Sequence, residues 1–324
     1  MANPKVPQEI WNSYIVEKLW KVNPHLNLCA DESQHVQGGS VVYIPQAGAK
    51  PTVVKNRSTY PATAVQRNDT AVMYALDVWT TDPTHIPVAD KLEISYAKTD
   101  SVLGDHVNGL AEAIGDEILY RWVYGVKPAA GGSTTTGTLP TSRQIETSGA
   151  AIAVNSIDGQ TGTRKAFSYK ELQTAQAQMN KDAVPKEGRY AMLESYLLQQ
   201  FIDSLSANQM AAFQQSADLA KGVVGSFAGF QILERSTVLS FTSAGVPIVP
   251  GTALAATDNL AALCWQKDCV TKASGDTKLF QDLENPLYYG DVYSGLVKMG
   301  GRSKREDWKG VIAIVQAATA SFFS

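Results

Sequence analysis

The stretch VPKEGRYAMLESYLLQQFIDSL, from Val184 to Leu205, is the most informative part of the sequence about the fold. A proline, two residues of opposite charge and a glycine stand directly before an apolar pattern. Pro185 and Gly188 both interrupt helices, because proline lacks an amide hydrogen and glycine accepts left-handed backbone angles. The stretch therefore predicts a junction between two helices, formed by Pro185, Glu187, Gly188 and Arg189. The second helix is predicted to have one apolar face, made of Tyr190, Leu193, Leu197, Phe201 and Leu205.

A long helix is predicted further upstream, from Ser101 to Tyr124. Thr99, Asp100 and Ser101 provide an N-cap, and Gly125 ends the helix. Its roughly 25 residues, at about 1.5 Å each, span about 37 Å, which is long for a helix of a globular domain. Apolar side chains recur along it at helical spacing, namely Leu103, Val107, Leu110, Ile114, Ile118 and Trp122.

Two shorter helices are predicted, one before and one after the long helix. The first runs from Val6 to Val22 and ends at Pro24, and an isolated helix of this length needs a partner surface to be stable. The second begins at a capping box in which Ser168 is followed three residues later by Glu171. Their apolar faces are Ile10, Tyr14 and Leu19 in the first helix, and Leu172, Ala175 and Met179 in the second.

The pattern between Gly38 and about Thr81 is typical of β structure. The segment GGSVVYIPQAG indicates one strand, and TAVMYALDVWTT alternates so that Val72, Tyr74, Leu76 and Val78 share a face. The segment between them, Ala47 to Asp69, is polar and contains prolines. It is too long and too polar to pack on its own core, so a neighbouring subunit is expected to bind it. Its candidate contact residues are Lys50, Lys55, Arg57, Tyr60, Arg67 and Asp69.

Composition excludes several classes of protein. The chain has 324 residues, of which 44% are hydrophobic and 18% charged, enough for a substantial core in one large or two medium domains. A net charge of -3 is not that of a dedicated nucleic-acid-binding protein. The sequence shows no signal peptide and no membrane span, so a soluble protein that is not exported is expected. Three cysteines, an odd number, are expected to be reduced thiols.

The sequence contains no recognisable catalytic, cofactor or metal motif. Gly132 and Gly137 have the spacing of a phosphate-binding loop, but Thr138 stands where lysine is required. The segment GSFAG has Phe227 at its centre instead of a nucleophilic serine, which favours a close-packed turn. The four histidines are scattered, without the spacing of a metal site. An enzyme, for example a hydrolase, is the less favoured alternative, and its catalytic cluster would be Asp291, Tyr288 and Arg302.

The order of several motifs resembles the major capsid proteins of tailed bacteriophages, which share the Hong Kong ninety-seven-type coat fold. The opening stretch VPKEGRYAMLESYLLQQFIDSL is similar to the passage by which these proteins enter their axial domain. GVVGSFAGFQILERSTV follows as their glycine-rich turn and strand do, and LAALCWQKDCVTKAS and YYGDVYSGLVKMGGRSKREDWKGVIAIV resemble their closing segments. The resemblance covers Gly38 to Ala317 and is nearest to capsid proteins of short-tailed phages. It makes an active-site wall at Lys186 to Arg189 the less favoured interpretation.

The resemblance implies an α+β fold with an arm, an extended β-hairpin loop and two domains. Gly188 would allow the bend at the domain junction, where Glu187 and Arg189 would make charged contacts. The final segment WKGVIAIVQAA is separately predicted to be a buried strand, because it is continuously apolar. The expected ranges are residues 1–37 for the amino-terminal arm, 38–82 for the extended loop, 83–188 for the peripheral domain with its spine helix, 189–295 for the axial domain, and 296–324 for a return to the peripheral domain.

The resemblance also implies partners and a location. The chain would assemble with itself, as hexamers and pentamers, into the icosahedral or prolate shell of a virion, after synthesis in the host cytoplasm. A scaffolding protein and a portal protein are implied, a decoration protein is optional, and packaged DNA would be contacted non-specifically. Some relatives crosslink a lysine to an asparagine; Lys50, Lys55 and Asn56 lie in the loop, but the sequence does not establish a reactive pair. The alternative with the same fold is an encapsulin, a cellular compartment that stores a cargo enzyme.

Overall fold

The computed structural model of the chain describes residues 23–37, 41–48, 50–62, 64–87, 98–128, 134–154, 159–218 and 222–318. The helix predicted from Val6 to Val22 lies outside the described residues. The predicted long helix is confirmed, although it begins at Lys98, three residues before the expected start, and ends at Val123. The predicted capping box also forms, since the Glu171 carboxylate accepts hydrogen bonds from the backbone and hydroxyl of Ser168, both at 2.7 Å.

Within these residues the chain forms a mixed helix and sheet fold. The helices are α1 (Lys98–Val123), α2 (Tyr169–Lys181), α3 (Ser195–Ser204) and α4 (Ala207–Gln215). The strands are β1 (Ala30–Asp31), β2 (Val36–Gln37), β3 (Val41–Gln46), β4 (Thr70–Ala75), β5 (Asp77–Thr80), β6 (Thr84–Pro87), β7 (Tyr124–Pro128), β8 (Thr134–Thr138), β9 (Gln144–Glu146), β10 (Ala151–Ala153), β11 (Thr163–Lys165), β12 (Arg189–Glu194), β13 (Val223–Phe227), β14 (Phe230–Arg235), β15 (Leu239–Phe241), β16 (Asn259–Gln266), β17 (Val270–Asn285), β18 (Gly290–Ser303) and β19 (Val311–Val315).

The largest sheet has seven strands, in the order β13-β14-β12-β16-β19-β9, with β15 paired to β16. β12 is central: it runs parallel to β14 and antiparallel to β16, and all six of its residues are buried. The prediction that a helix starts at Tyr190 is therefore wrong, because the helix starts at Ser195. A short strand that is buried on both faces of a sheet is apolar throughout and shows no alternation of apolar and polar residues. Its sequence is therefore equally compatible with a helix.

Both faces of this sheet are covered. Along β12, Tyr190 and Met192 belong to the apolar cluster that includes α1, whereas Ala191 and Leu193 belong to the cluster that includes α2 and α3. The alternation of a strand thus places neighbouring residues in two different cores. β19 is buried along its whole length, which confirms the strand predicted from the apolar end of the sequence.

A second sheet has five strands, in the order β1-β17-β18-β5, with β6 also paired to β18. β17 and β18, of 16 and 14 residues, form a long hairpin beside α1. The expected continuous strand through TAVMYALDVWTT is broken at Leu76, because β4 pairs with β3 and β5 pairs with β18. Val78 is consequently 56% exposed while Tyr74 is buried, so the prediction that Val78 shares one face with Val72, Tyr74 and Leu76 is wrong.

The strand pairing crosses two of the expected domain boundaries. β17 lies beside α1, in the same sheet as β5 and β6, although residues 189–295 were expected to be axial. β19 lies in the seven-stranded sheet, although residues 296–324 were expected to return to the peripheral domain. The assignment of residues to named domains stays a prediction.

The first described residues, Asn23 to Leu28, form a strap across α1. Asn23 donates a hydrogen bond from Nδ2 to the carbonyl of Ala111 at 2.5 Å, and His25 Nε2 lies 3.3 Å from the carbonyl of Gly115. A Cβ atom at Gly115 would lie 2.0 Å from Asn23 Oδ1, so the strap requires the absence of a side chain there. The indole of Trp265 fixes the far end by donating to the carbonyl of Leu28 at 3.0 Å.

Burial of His25 gives the strap a dependence on pH. Desolvation first, and then the charge of Arg235, lower the pKa of His25 from 6.5 to about 3. Its Nδ1 has no hydrogen-bond partner among the described residues, so an added proton there would be buried without an acceptor. The folded state therefore keeps the ring neutral while the unfolded state binds a proton below about pH 6.5.

We expect the free energy of unfolding to fall as pH is lowered from 6.5 towards 3, by up to about 1.4 kcal/mol per pH unit from this residue alone. The variant His25→Gln can keep a donor towards Gly115 but does not titrate. Urea denaturation of both proteins between pH 7 and pH 4.5 measures the difference. The variant should lose stability less steeply, and parallel curves for the two proteins would contradict the assignment to His25.

Candidate assembly surfaces

The extended loop has a packed base and an exposed tip. β3 and β4 pair antiparallel, with Val42 opposite Tyr74 and Ile44 opposite Val72. These four side chains are at most 5% exposed and form a small apolar cluster with Leu76, Ala273 and Val36. In contrast, every described residue from Lys50 to Asp69 is exposed. The core of this sheet therefore ends where the loop tip, residues 47–69, begins.

The loop tip offers both charge and apolar surface. The side chains of Lys50, Lys55, Arg57 and Tyr60 make no hydrogen bond or ion pair with the other residues that the structure describes. The loop tip also contains exposed valines, which the sequence interpretation did not single out, although valines inside a polar loop were a visible signal. Their exposed fractions are 92% for Val53, 50% for Val54 and 85% for Val65, and that of the predicted contact residue Tyr60 is 77%.

Asp69 connects the two ends of the loop tip. Its Oδ1 accepts hydrogen bonds from the backbone of Gly48 at 2.8 Å and from Arg67 Nε at 2.6 Å. These two contacts, with the backbone of Gly48 the larger cause, lower the pKa of Asp69. Of the six predicted contact residues, Arg67 and Asp69 are thus engaged with each other, and the other four extend from the tip.

Arg302 anchors the base of the loop to the core. Its side chain is 3% exposed, and its Nη1 donates a hydrogen bond to the carbonyl of Met73 in β4 at 3.1 Å. Desolvation lowers the pKa of this guanidinium. Gln46, in β3, donates from Nε2 to the carbonyl of Lys304 at 2.5 Å. Nothing in the sequence around Arg302 predicts that this arginine contacts the base of the loop.

The junction before β12 is built from main-chain contacts. Arg189 is 2% exposed and donates from Nε to the carbonyl of Pro185 at 2.8 Å and from Nη2 to the carbonyl of Val184 at 2.7 Å. Glu187 has an exposed side chain and contributes its carbonyl, which accepts from Gln266 Nε2 at 3.3 Å. The guanidinium of Arg189 thus binds two carbonyl oxygens of its own turn, and the charged contacts expected of Glu187 and Arg189 at the domain junction stay a prediction.

Gly188 turns the chain at this junction. Its φ angle is 66°, in the left-handed region that disfavours side chains, and its carbonyl accepts from the backbone of Lys267 at 2.8 Å. A Cβ atom at this position would lie 3.3 Å from the Cβ of Lys267. The backbone angle and the close neighbour together restrict the position to residues that tolerate left-handed angles.

We expect Gly188→Val to lower the free energy of unfolding by about 2 kcal/mol, because a β-branched residue is strained at positive φ. Gly188→Asn is the matched control, since asparagine adopts left-handed angles more readily, and it should lose clearly less. Urea denaturation followed by circular dichroism measures both. Equal stability of the valine variant and the unchanged protein would show that the turn does not depend on glycine.

The structure does not bring the alternative catalytic residues together. Asp291 is 3% exposed and accepts from the Glu284 backbone at 3.0 Å and from the Tyr293 hydroxyl at 3.1 Å. Tyr288 is 56% exposed at the hairpin end. Arg302 lies eleven residues along the same strand as Asp291, a separation of roughly 35 Å at about 3.3 Å per residue. Asp291 therefore organises the hairpin turn, and Arg302 lies too far along the strand to share a site with it.

The thiols and histidines are also dispersed. Cys29, Cys264 and Cys269 are all free and buried, and burial raises the pKa of the Cys29 thiol to about 12 and that of the Cys269 thiol to about 11. Low reactivity follows, because the thiolate is the reactive form. In the part of the chain that the structure describes, no three side chains of His, Cys, Asp or Glu are grouped as a metal site would require.

The hairpin of β17 and β18 carries a second exposed apolar surface. At its end, Leu287 is 82% and Tyr289 80% exposed, and Tyr288 packs on His85 with ring centroids 5.8 Å apart. None of the described helices is both long and apolar enough to cross a membrane.

No protein-family model matches the chain, and no curated protein matches its sequence. Solved structures do match: the capsid of cyanophage P-SCSP1u is 18% identical with a TM-score of 0.59, covering 90% of this chain and 87% of that chain. For the capsid of cyanophage Pam1 the identity is 10%, the TM-score 0.60 and the coverage 90% and 89%. For the capsid of Ralstonia phage GP4 these values are 13%, 0.58, 90% and 88%. The chain therefore has the capsid-protein fold of tailed bacteriophages, as its sequence predicts.

Proposed function

We propose that the protein is the major capsid protein of a tailed bacteriophage, whose copies assemble as hexamers and pentamers into the shell around the genome. The observation that carries the proposal is the extent of the similarity, which spans 90% of this chain and 87% of the cyanophage P-SCSP1u capsid chain. In the proposed role the protein is a structural component of the virion that assembles in the host cytoplasm, and no enzymatic activity is assigned to it.

The loop tip is the part of the subunit that we assign to a neighbouring copy. Contact with a neighbouring subunit would remove the exposed valines and the tyrosine from water. Lys50, Lys55 and Arg57 would bind acidic side chains or carbonyl groups of that subunit. Apolar side chains on a polar loop are unfavourable while they are exposed to water, but they stabilise an interface when a partner covers them. Arg67 and Asp69 hold the tip at its base, and Arg302 fixes the strands beneath it.

The junction of Pro185, Glu187, Gly188 and Arg189 orients β12 and the helices that follow it. Because Arg189 binds carbonyls on its own turn, these hydrogen bonds stabilise the junction within one subunit. In the proposed role, a peripheral domain with α1 as its spine and an axial domain with the seven-stranded sheet meet here. Closed shells require the same subunit to fit slightly different angles, and modest contacts at many places accommodate them.

Other partners follow from the proposed role. A scaffolding protein and a portal protein would be its partners, and a decoration protein is an optional one. Packaged DNA would be contacted only non-specifically, because a net charge of -3 gives the chain no overall attraction to an anionic polymer.

Expression of the chain with the scaffolding gene from the same genome tests the proposal. Sedimentation and negative-stain electron microscopy should then show closed shells of uniform size. Soluble subunits alone, under conditions where the scaffolding protein is folded, would count against the capsid role. Shells that form without any scaffolding protein and enclose a cellular enzyme would identify an encapsulin instead.

A further inference from the structure

The end of the β17–β18 hairpin, residues 282–291, is a strained turn that presents apolar side chains to solvent. Leu287 and Tyr289 are its most exposed apolar residues. Tyr289 has a φ angle of 51° and Glu284 a φ angle of 56°, in a region that residues other than glycine rarely adopt. Strained backbone together with clustered apolar exposure indicates a contact surface that a single subunit leaves uncovered.

The hairpin end is also acidic. Asp282 and Glu284 have exposed side chains, and the sequence of residues 282–291 contains no lysine or arginine. The Asp282 carboxylate accepts a hydrogen bond from the neutral amide of Asn285 at 2.5 Å. The Glu284 side chain makes no hydrogen bond or ion pair with the other described residues. A partner that combines apolar side chains with positive charge therefore fits this surface.

The loop tip, residues 47–69, has this combination of properties. Its sequence contains four basic residues and one acidic residue, and the acidic residue, Asp69, is bound to Arg67. The other three basic residues are without partners among the described residues, and exposed valines and a tyrosine accompany them. The loop tip and the hairpin end are thus opposite in charge and alike in exposing apolar side chains.

The two surfaces belong to opposite ends of β18. Arg302, near the last residue of this strand, binds the base of the loop through Met73, whereas Asp291 stands at the hairpin end. The two positions are roughly 35 Å apart at about 3.3 Å per residue. Within one subunit neither surface covers the other, because both are exposed. Complementary surfaces at opposite ends of a subunit favour a head-to-tail contact between two copies, whereas two hairpin ends would bring like charges together.

We propose that the loop tip of one copy binds the hairpin end of a second copy of this chain. Exposed apolar side chains of the tip pack against Leu287 and Tyr289, and Arg57 lies beside Glu284. The proposal rests on the proposed shell function, because it names the surface of the neighbouring copy that receives the loop tip. A contact made by two short segments is weak in isolation, and a shell repeats it at every subunit.

Reversal of the two charges tests the pairing in full-length chains expressed with the scaffolding protein. Arg57→Glu and Glu284→Lys should each lower the yield of sedimenting shells roughly tenfold, because a like-charge pair replaces an attraction. The chain with both substitutions should recover most of the yield. Asp276→Lys is the matched control, since Asp276 is exposed on β17 outside the hairpin end. It should neither lower the yield nor rescue Arg57→Glu, and all variants should keep the melting temperature of the unchanged chain.

A thiol crosslink gives a second measurement that does not depend on charge. Val53→Cys and Leu287→Cys in one chain, treated as shells with a bismaleimide, should give covalent multimers, whereas either substitution alone should give none; the native thiols are buried. Only monomers from the double variant, or no recovery in the reversed pair, would overturn the pairing and leave the shell function intact if the unchanged chain assembles. Crosslinks to the scaffolding protein instead would also overturn it. Failure of the unchanged chain to assemble would overturn both proposals.

Discussion

A subunit lacking Asn56 to Ala64 should fold normally and fail to form shells. None of the described residues of the loop tip is buried, and the apolar cluster of this sheet lies in β3 and β4. Shortening a flexible loop by nine residues changes its closure entropy by less than about 0.6 kcal/mol. The hydrogen bond from the Gly48 backbone to the Asp69 carboxylate lies outside the deleted residues. The folded subunit therefore keeps its internal contacts, whereas every subunit of a shell loses one interface with a neighbour.

Two measurements on the same preparation separate these outcomes. Thermal denaturation followed by circular dichroism should give a melting temperature close to that of the unchanged chain, and sedimentation with the scaffolding protein should give no shells. Normal shells would remove the loop tip from assembly. An unfolded subunit would instead place the segment in the core.

Matched variants identify which part of the loop tip acts. Replacing residues 56–64 by glycine and serine at constant length keeps the chain connection and removes the side chains. Lys55→Gln with Arg57→Gln removes charge alone, and Val53→Ser with Val65→Ser removes exposed apolar surface alone. If apolar contact dominates, the serine pair should reduce shell yield at every salt concentration, whereas a loss from the glutamine pair should diminish as salt increases.

Long periodic elements and continuous apolar runs could be predicted from the sequence. α1 has six apolar residues at helical spacing and a length that no strand would reach, and the capping box of α2 is a local hydrogen-bond pattern. β19 is apolar without interruption because both faces of its sheet are covered. In these elements the local signal and the tertiary environment agree.

The misassigned elements depended on partners distant in sequence. Tyr190 to Leu193 is a strand because β14 and β16 pair with it from both sides, and neither partner is visible in the residues themselves. The break at Leu76 occurs because one half of the pattern pairs with β3 and the other with β18. Arg302 is a loop anchor only because the fold brings Met73 to it. Side-chain pattern alone does not specify strand partners.

Phe201→Ala should have the largest effect on stability of any single substitution considered for this protein, a loss of about 4 kcal/mol in the free energy of unfolding. Phe201 lies in α3, is 0% exposed and is in the cluster beneath the seven-stranded sheet. Its ring centroid lies 6.3 Å from that of Phe167, 5.5 Å from that of Phe213 and 5.4 Å from that of Phe227. Truncation removes three edge-to-face contacts and leaves a cavity that the β-sheet cannot close.

The control for this substitution is Phe280→Ala, because Phe280 is 50% exposed on β17 and its loss should cost less than about 1 kcal/mol. Phe201→Leu should lie between the two, since leucine refills part of the volume. The midpoint of urea denaturation, compared at constant slope, measures all three. Because domains are stable by only about 5 to 15 kcal/mol, the alanine variant should also accumulate poorly when expressed. Equal losses at positions 201 and 280 would mean that the aromatic cluster does not hold α3 on the sheet.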